Sequence, residues 1–383
     1  MRAGPSRLRI CQRFAPACRP TRLRRSILSS TIGPQRGTTK GDTIDEGTKQ
    51  AEGDLASLLA ALEEVDRLLI LPHNDPDPDA IASSVALQWL LKETVGLEST
   101  IGYRGIIGRA ENKALVRYLG YPLRLLARGA SMYPSLALVD TQPGAGNNDV
   151  PSSTKVSVVF DHHPVRDETS AADFSDVRTE FGATSTILTE YCQAVGTELP
   201  LHIATALFYG IKTDTMGLGR GASGADVSAY FYLQSRIDVQ ALVNIERAQV
   251  PREYFRGLVT ALRSARLYEN RLIVSTIDEM GRPDLPAEMA DLLLRLKGVN
   301  WVVCMGVYDD QVMLSIRTNA DCGAGQLVQD IVGDMGSAGG HGVMAAGQIL
   351  LEGRNPNVLF HRLERRALER LGIHPEASRS SLI

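Results

Sequence analysis

Four short polar clusters in this 383-residue chain carry the residue types that hold divalent cations. The first is His73, Asp77 and Asp79 in LPHNDPDPDA, with Asp75 lying between them. The second is Asp140, closing SLALVD, and the third is Asp161, His162 and His163 in FDHHP. The fourth is Asp214 in GIKTDT. Brought together as bare ions, these carboxylates would repel strongly, each with a raised pKa or a burial cost of several kcal/mol. Divalent cations resolve that repulsion, and carboxylate oxygen with imidazole nitrogen suits Mn²⁺, Mg²⁺, Fe²⁺ or Zn²⁺. The ligands are too many for one ion and suit two bridged ions, a clamp for hydrolysing phosphate esters or anhydrides. Singly, each cluster has a plainer meaning: DPDPD reads as a polar turn, and Asp140 or Asp214 as a turn cap. The conjunction carries the inference.

The elements that must position these groups are legible. LLILP (68–72), SLALVD (135–140) and KVSVVFD (155–161) read as buried strands, each ending in one of the clusters. Stretches 54–67, 80–94, 182–196 and 202–215 read as helices; the third closes on Gly196 and the last ends at the Asp214 cluster. Apolar strands alternating with helices imply a parallel sheet covered on both faces. Ligands of such sheets sit beyond the carboxyl ends of the strands, where three of the clusters would converge. After about residue 230 the style changes. Residues 231–262 read as a helical connector, 267–278 as strand, and 299–318 as a hairpin around the Asp309–Asp310 turn. A helix over 325–335 then precedes the glycine-rich GSAGGHGVMAAGQI. The expected fold class is α/β: a doubly wound, mainly parallel domain over 54–230, then a smaller α+β domain over 263–375.

The net charge of −3 conceals an asymmetry. Residues 1–50 hold nine arginines and two lysines against three acids, leaving 30 basic and 41 acidic residues in the rest. An acidic body without a basic stripe excludes long duplex nucleic acid as a partner. The Arg-rich, Pro-punctuated start resembles a transit-peptide composition; it reads otherwise as a disordered basic tail outside the fold, or as an upstream extension that is not translated. No apolar run approaches the roughly 20 residues of a membrane span. The five cysteines form no CxxC pair, which speaks against a disulfide framework and for a reducing cytoplasm.

HNDPDPDA (73–80), VDT (139–141), FDHHP (160–164) and GIKTDT (210–215) together resemble the four motifs of the DHH phosphoesterase superfamily. GGHGVMAAG (339–347) resembles the signature of its accompanying C-terminal DHHA1 domain. The nearest type is the compact oligoribonuclease (nanoRNase) and 3′-phosphoadenosine-5′-phosphate phosphatase. The resemblance implies an active site in the cleft between two domains. One metal would be held by His73, Asp77 and Asp140, the other by Asp79, Asp140, His162 and Asp214. Asp140 would bridge them, and a water acidified by both would attack phosphorus. His163 would contact the substrate phosphate or assist the leaving group, and Asp161 would orient a ligand imidazole. Arg317, Gly339, Gly340 and His341 would bind phosphate, with a helix starting near His341 offering its N–H groups. Two departures stand out: Pro78 where the family often has glycine, and the extra acid Asp75. Arg220, in the glycine-rich run after Asp214, is a further candidate for phosphate or an exposed loop residue.

The implied enzyme is a phosphoester hydrolase using two divalent ions, Mn²⁺ first and Mg²⁺ second. Its substrates would be short RNA oligonucleotides or phosphorylated nucleotides. Alternatives are a cyclic or linear dinucleotide phosphodiesterase and a manganese-dependent inorganic pyrophosphatase, which would need a Lys- and Arg-rich C-terminal clamp. A RecJ-type exonuclease would be longer, and a non-catalytic binding module would have lost ligands. No membrane partner is expected, and a homodimer is the default assembly.

Overall fold

The computed structural model describes residues 53–126, 133–151, 154–320, 323–374 and 377–383; the Arg-rich segment over 1–50 lies outside them. The chain divides into two compact units between Gln249 and Val250. The expected α/β architecture is present.

The first unit holds a six-stranded sheet of β1 (Leu68–Pro72), β2 (Ser99–Tyr103), β3 (Leu123–Leu125), β4 (Leu136–Val139), β5 (Val158–Asp161) and β6 (Phe174–Val177). Their order is β3-β2-β1-β4-β5-β6, and every pairing is parallel. Every residue of β1, β4 and β5 is buried, as their unbroken apolar runs require when helices cover both faces. The direction of winding reverses between β1 and β4, which opens a crevice beyond their carboxyl ends. Strands β2, β3 and β6 and the helix Ala110–Tyr118 carried weaker signals: STIGY is mixed in polarity, and β6 is a half-buried edge strand reading FSDV.

Two helices frame that crevice. The first, Pro78–Val95, starts on Asp77, whose side chain accepts from the Asp79 and Ala80 N–H groups. Pro78 therefore occupies the first helical turn, where its missing N–H costs nothing and its fixed φ favours the helix. The second, Thr184–Val195, ends on Gly196 in the left-handed conformation, φ +75°. A third helix, Leu201–Asp214, delivers Asp214 at its carboxyl end. No helix among the described residues is long and apolar enough to cross a membrane.

The second unit is built on a seven-stranded sheet of β7 (Arg266–Tyr268), β8 (Leu272–Glu279), β9 (Trp301–Tyr308), β10 (Gln311–Thr318), β11 (Ser337–His341), β12 (Met344–Leu350) and β13 (Arg379–Ser381). Its order is β11-β12-β10-β9-β8-β7-β13, antiparallel except for β8 with β9. The β9–β10 hairpin turns at Asp309, φ +55°. One core cluster gathers Val303, Leu314 and Ile316 with Leu327, Ile331, Phe360 and Leu363; another gathers Val302 and Cys304 with Ala261, Leu285 and Met289. The connector over 231–262 spans the junction: helix Val239–Glu246 lies in the first unit and helix Arg252–Ser264 in the second.

The glycine-rich stretch corrects one expectation. No helix starts near His341; β11 instead turns through Gly342, φ +51°, into β12. Glycine is a poor helix former, and here it admits close strand approach. A Cβ on Gly340 (φ +152°) would stand 2.4 Å from the Ala345 Cα. The stretch expected to begin a helix is thus an edge strand of the sheet.

Candidate metal centre

The three strand ends do converge. His73 follows β1, Asp140 follows β4, and Asp161 closes β5 with His162 and His163 behind it. Asp140 adopts φ +58°, the left-handed region that Asp tolerates better than most residues. Its N–H donates to the Phe160 carbonyl at 2.8 Å, which fixes this turn to the end of β5.

Asp140 lies at the middle of the group and is 2% exposed. Its Oδ2 is 3.5 Å from His73 Nε2, and its Oδ1 is 3.5 Å from His162 Nε2. One carboxylate thus faces two imidazoles through two different oxygens. Asp77 Oδ1 is 3.8 Å from His73 Nε2, and Asp214 Oδ2 is 3.4 Å from His162 Nε2. Ligand atoms of His73, Asp77 and Asp140, and separately of Asp79, His162 and Asp214, lie within 4.8 Å of one another. A third such group is Asp140, His162 and His163. His162 Nε2 is buried without a hydrogen-bond partner, which a metal would supply.

Asp79 sits where a carboxylate is best received. It is fully buried, with Oδ2 accepting from the Thr184 N–H at 2.7 Å and Oδ1 from the Ser185 N–H at 2.8 Å. These are unpaired donors at the start of the Thr184–Val195 helix, whose positive dipole end faces the acid. The Thr184 hydroxyl donates to Asp140 Oδ1 at 2.9 Å, so one helix start steadies two clusters.

Asp161 orients an imidazole, that of His163: their Oδ1 and Nδ1 are 2.7 Å apart. The His162 ring is instead held by the Phe181 carbonyl, 3.2 Å from Nδ1. Behind Asp161 lies Gln142, almost fully buried, whose Nε2 donates to Asp161 Oδ2 at 2.7 Å. Gln142 Oε1 accepts from the Arg166 N–H and the Thr169 hydroxyl, so it ties the turn after β4 to the turn after β5. Sequence reading missed Gln142, Phe181, Thr184 and Ser185. The only signal for Gln142 was its place two residues beyond Asp140, and a backbone carbonyl such as Phe181 leaves none.

Asp75, the extra acid of the first cluster, bonds the neighbouring loop. At φ +57° its N–H donates to the Arg104 carbonyl at 3.0 Å, and its Oδ1 accepts from the Ile106 N–H at 2.7 Å. Gly105 between them has no room for a side chain, since its Cβ would stand 2.3 Å from Asp75 Oδ1. Arg220, in the loop after the Leu201–Asp214 helix, turns back and donates to the Asp214 carbonyl at 2.8 Å.

The protonation pattern shows how costly the cluster is as bare protein. Burial, then Asp140 and Asp214, pushes Asp79 well above the usual carboxylate range. Burial and Asp77 push Asp214 up to about 6. Burial opposes charge on His162, yet Asp214, Asp140 and Asp79 carry it up to about 11. Asp140 is held low despite burial, by His73, His163 and His162. Linkage gives the sign. Above pH 3.8 folded Asp214 retains a proton that the unfolded chain has lost, and above 6.5 so does His162. In chelator the melting temperature is therefore expected to fall from about pH 5 to about pH 8. The rise on adding Mn²⁺ is expected to grow over the same range, because cations replace protons on the imidazoles. Melting curves across that range check this; a Mn²⁺ shift that shrinks with rising pH contradicts it.

In the second unit, β10 and β11 flank β12 with Arg317 and His341 both opposite Met344. Arg317, Gly339, Gly340 and His341 thus lie on one corner of the sheet. Arg317 is 9% exposed: its Nε donates to Asp291 Oδ1 at 2.5 Å, and its Nη1 to Ser315 Oγ and the Ile316 carbonyl.

A parallel sheet with acid and imidazole clusters at its switch point, spaced as here, defines a recognisable domain. Residues 67–211 match the model of the DHH family, N-terminal domain. The chain is 36% identical over 287 residues to an uncharacterized protein of Methanocaldococcus jannaschii, covering 74% of this chain and 58% of that protein. It is 27% identical over 152 residues to a Streptococcus pyogenes protein described as a "probable manganese-dependent inorganic pyrophosphatase", covering 39% of this chain and 49% of that one. The chain thus spans about half of the curated relatives it matches. In structure it is similar to an exopolyphosphatase-related protein from Bacteroides fragilis, with TM-score 0.65 and 15% identity over 84% of this chain and 97% of that one. Thermus thermophilus RecJ in complex with Mn²⁺ matches at TM-score 0.50 and 14% identity, over 87% of this chain and 55% of RecJ. At these identities the structural likeness speaks for the fold.

Proposed function

We propose that this chain is a metal-dependent phosphoesterase that hydrolyses short oligoribonucleotides or small phosphorylated nucleotides. The observation that carries the reading is Asp140, whose two oxygens face His73 and His162, each at 3.5 Å. His73, Asp77 and Asp140 would hold one divalent ion, and Asp79, Asp140, His162 and Asp214 the other, Mn²⁺ ahead of Mg²⁺. Bound there, such a pair supplies Lewis acidity toward a phosphoryl oxygen and an acidified water.

The chain's own residues do the rest. The helix start at Thr184 and Ser185 orients the Asp79 carboxyl, and the Thr184 hydroxyl fixes the rotation of Asp140. Asp161 keeps the His163 ring turned so that Nε2 can give a proton to the leaving oxygen. Arg317, Gly339, Gly340 and His341 are proposed to take a substrate phosphate, with Asp291 and Ser315 setting the angle of the guanidinium. The acidic body disfavours long duplexes.

An inorganic pyrophosphatase is the second reading, favoured by the 152 residues shared with the Streptococcus pyogenes protein. A panel of di- to pentaribonucleotides, 3′-phosphoadenosine-5′-phosphate, linear and cyclic di-AMP and pyrophosphate, each with Mn²⁺, tests both. Release of mononucleotides or of adenylate phosphate supports the first. Turnover of pyrophosphate alone replaces it with the second, and turnover of nothing sinks both.

A further inference from the structure

A groove of about 820 Å³ in the second unit lies apart from every residue used so far. Its lining includes Gln311, Gln348 and Leu350 of the sheet, Asp334, Met335 and Glu352, and Arg354, Arg362 and Arg366. It opens at the far end of the β10–β12 ladder. Gln311 pairs with Leu350, whereas Arg317 pairs with Met344 six residues along. At about 3.4 Å per residue the two ends stand about 20 Å apart.

Three arginines, Arg354, Arg362 and Arg366, face two acids, Asp334 and Glu352, across the groove. Arg354 is engaged by Glu352 at 3.2 Å and by the Leu350 and Leu351 carbonyls. Arg366 Nη1 caps the helix Ala324–Val332 through the Ile331 and Val332 carbonyls. The contact made by Arg362, among the described residues, is to the Met335 sulfur at 3.6 Å, a weak acceptor. Asp334 lines the same wall and, among the described residues, forms no ion pair with it.

We propose that this groove binds a phosphorylated nucleotide. Guanidinium groups take phosphate through paired, charge-assisted hydrogen bonds. A carboxylate such as Asp334 is the group that accepts from ribose hydroxyls. The amides of Gln311 and Gln348 match the donor–acceptor edge of a base, and Met335 and Leu350 give it an apolar wall. The volume falls within the range of small-molecule sites. The ligand is either a free nucleotide or the distal nucleotide of a longer chain; the chemistry is shared. Only this second source rests on the proposed activity toward oligonucleotides.

Equilibrium dialysis in EDTA, with 5′-AMP and with pentaadenylate as probes, tests the site on the full chain. Without cations the acidic cluster of the first unit repels both probes, so binding reports on other surfaces. Saturable binding of 5′-AMP is expected, weakened at least about tenfold by Arg362→Glu and by Asp334→Ala together, and unchanged by Asp140→Asn. Arg362 is exposed, so its replacement leaves the fold in place, and Mn²⁺-dependent cleavage of bis(p-nitrophenyl) phosphate is expected to stay at the wild-type rate. Pentaadenylate binding at least about tenfold tighter than 5′-AMP assigns the groove to a chain; equal affinity assigns it to the free nucleotide. No saturable binding, or equal binding by wild type and Arg362→Glu, overturns the proposal. Failure of the substrate panel alone would leave the groove standing.

Discussion

Asp140→Ala is expected to reduce Mn²⁺-dependent hydrolysis by at least about 10³-fold. Two cations at a phosphoryl centre contribute several kcal/mol, and each 1.36 kcal/mol is tenfold in rate. Asp140 stands between His73 and His162, so its loss strips an oxygen from both ligand groups at once. Metal analysis after dialysis is expected to show a loss of both bound ions. Losing a ligand of only one group, as in Asp77→Ala, leaves the group around His162 intact and a partial metal content. Activity of Asp140→Ala within tenfold of wild type, at saturating Mn²⁺, would falsify the shared-carboxylate reading.

Asp79→Ala is expected to lose comparable activity and to lose stability as well. Its carboxylate is the acceptor for the Thr184 and Ser185 N–H groups, and both residues are fully buried. An unsatisfied buried donor costs about 1–3 kcal/mol, so the pair is expected to cost about 2–4 kcal/mol, allowing for water entering the gap. Asp214→Ala provides the contrast. Asp214 lies at a helix carboxyl end and is pushed up to about 6 by burial and Asp77, so it is a burden to the metal-free fold. Its removal is expected to abolish activity while leaving the melting temperature in chelator unchanged or higher. Equal melting temperatures for Asp79→Ala and Asp214→Ala in chelator would remove the helix-start role assigned to Asp79.

The site was legible because its ligands sit at ends of elements, and the ends of buried parallel strands are written in apolar runs. LLILP, SLALV and KVSVVF mark β1, β4 and β5, and a candidate ligand follows each run within two residues: His73, Asp140 and His162. The groups that hold those ligands were illegible for a different reason. Gln142 works through five partners spread over residues 161–169, and no periodicity announces a glutamine that bridges two turns. Thr184 and Ser185 contribute backbone N–H groups, which every residue type but proline possesses. The hairpin at Gly339–Gly347 was misread because small residues carry neither a helical nor a strand period, so only tertiary pairing decides. Asp75 carried no assigned role in the sequence; its left-handed backbone and its bond to Ile106 became visible only once the loops met.

The φ of +58° at Asp140 has an evolutionary consequence. Most side chains pay roughly 1–2 kcal/mol for that conformation, and aspartate, asparagine and glycine pay least. A lineage drifting away from catalysis therefore has few exits at this position that keep the turn, namely asparagine and glycine. Both discard the shared carboxylate while leaving the β4 turn, its bond to Phe160 and the surrounding core undisturbed. The fold is thus predisposed to leave folded, silent descendants. Asparagine or glycine at this one residue is their mark.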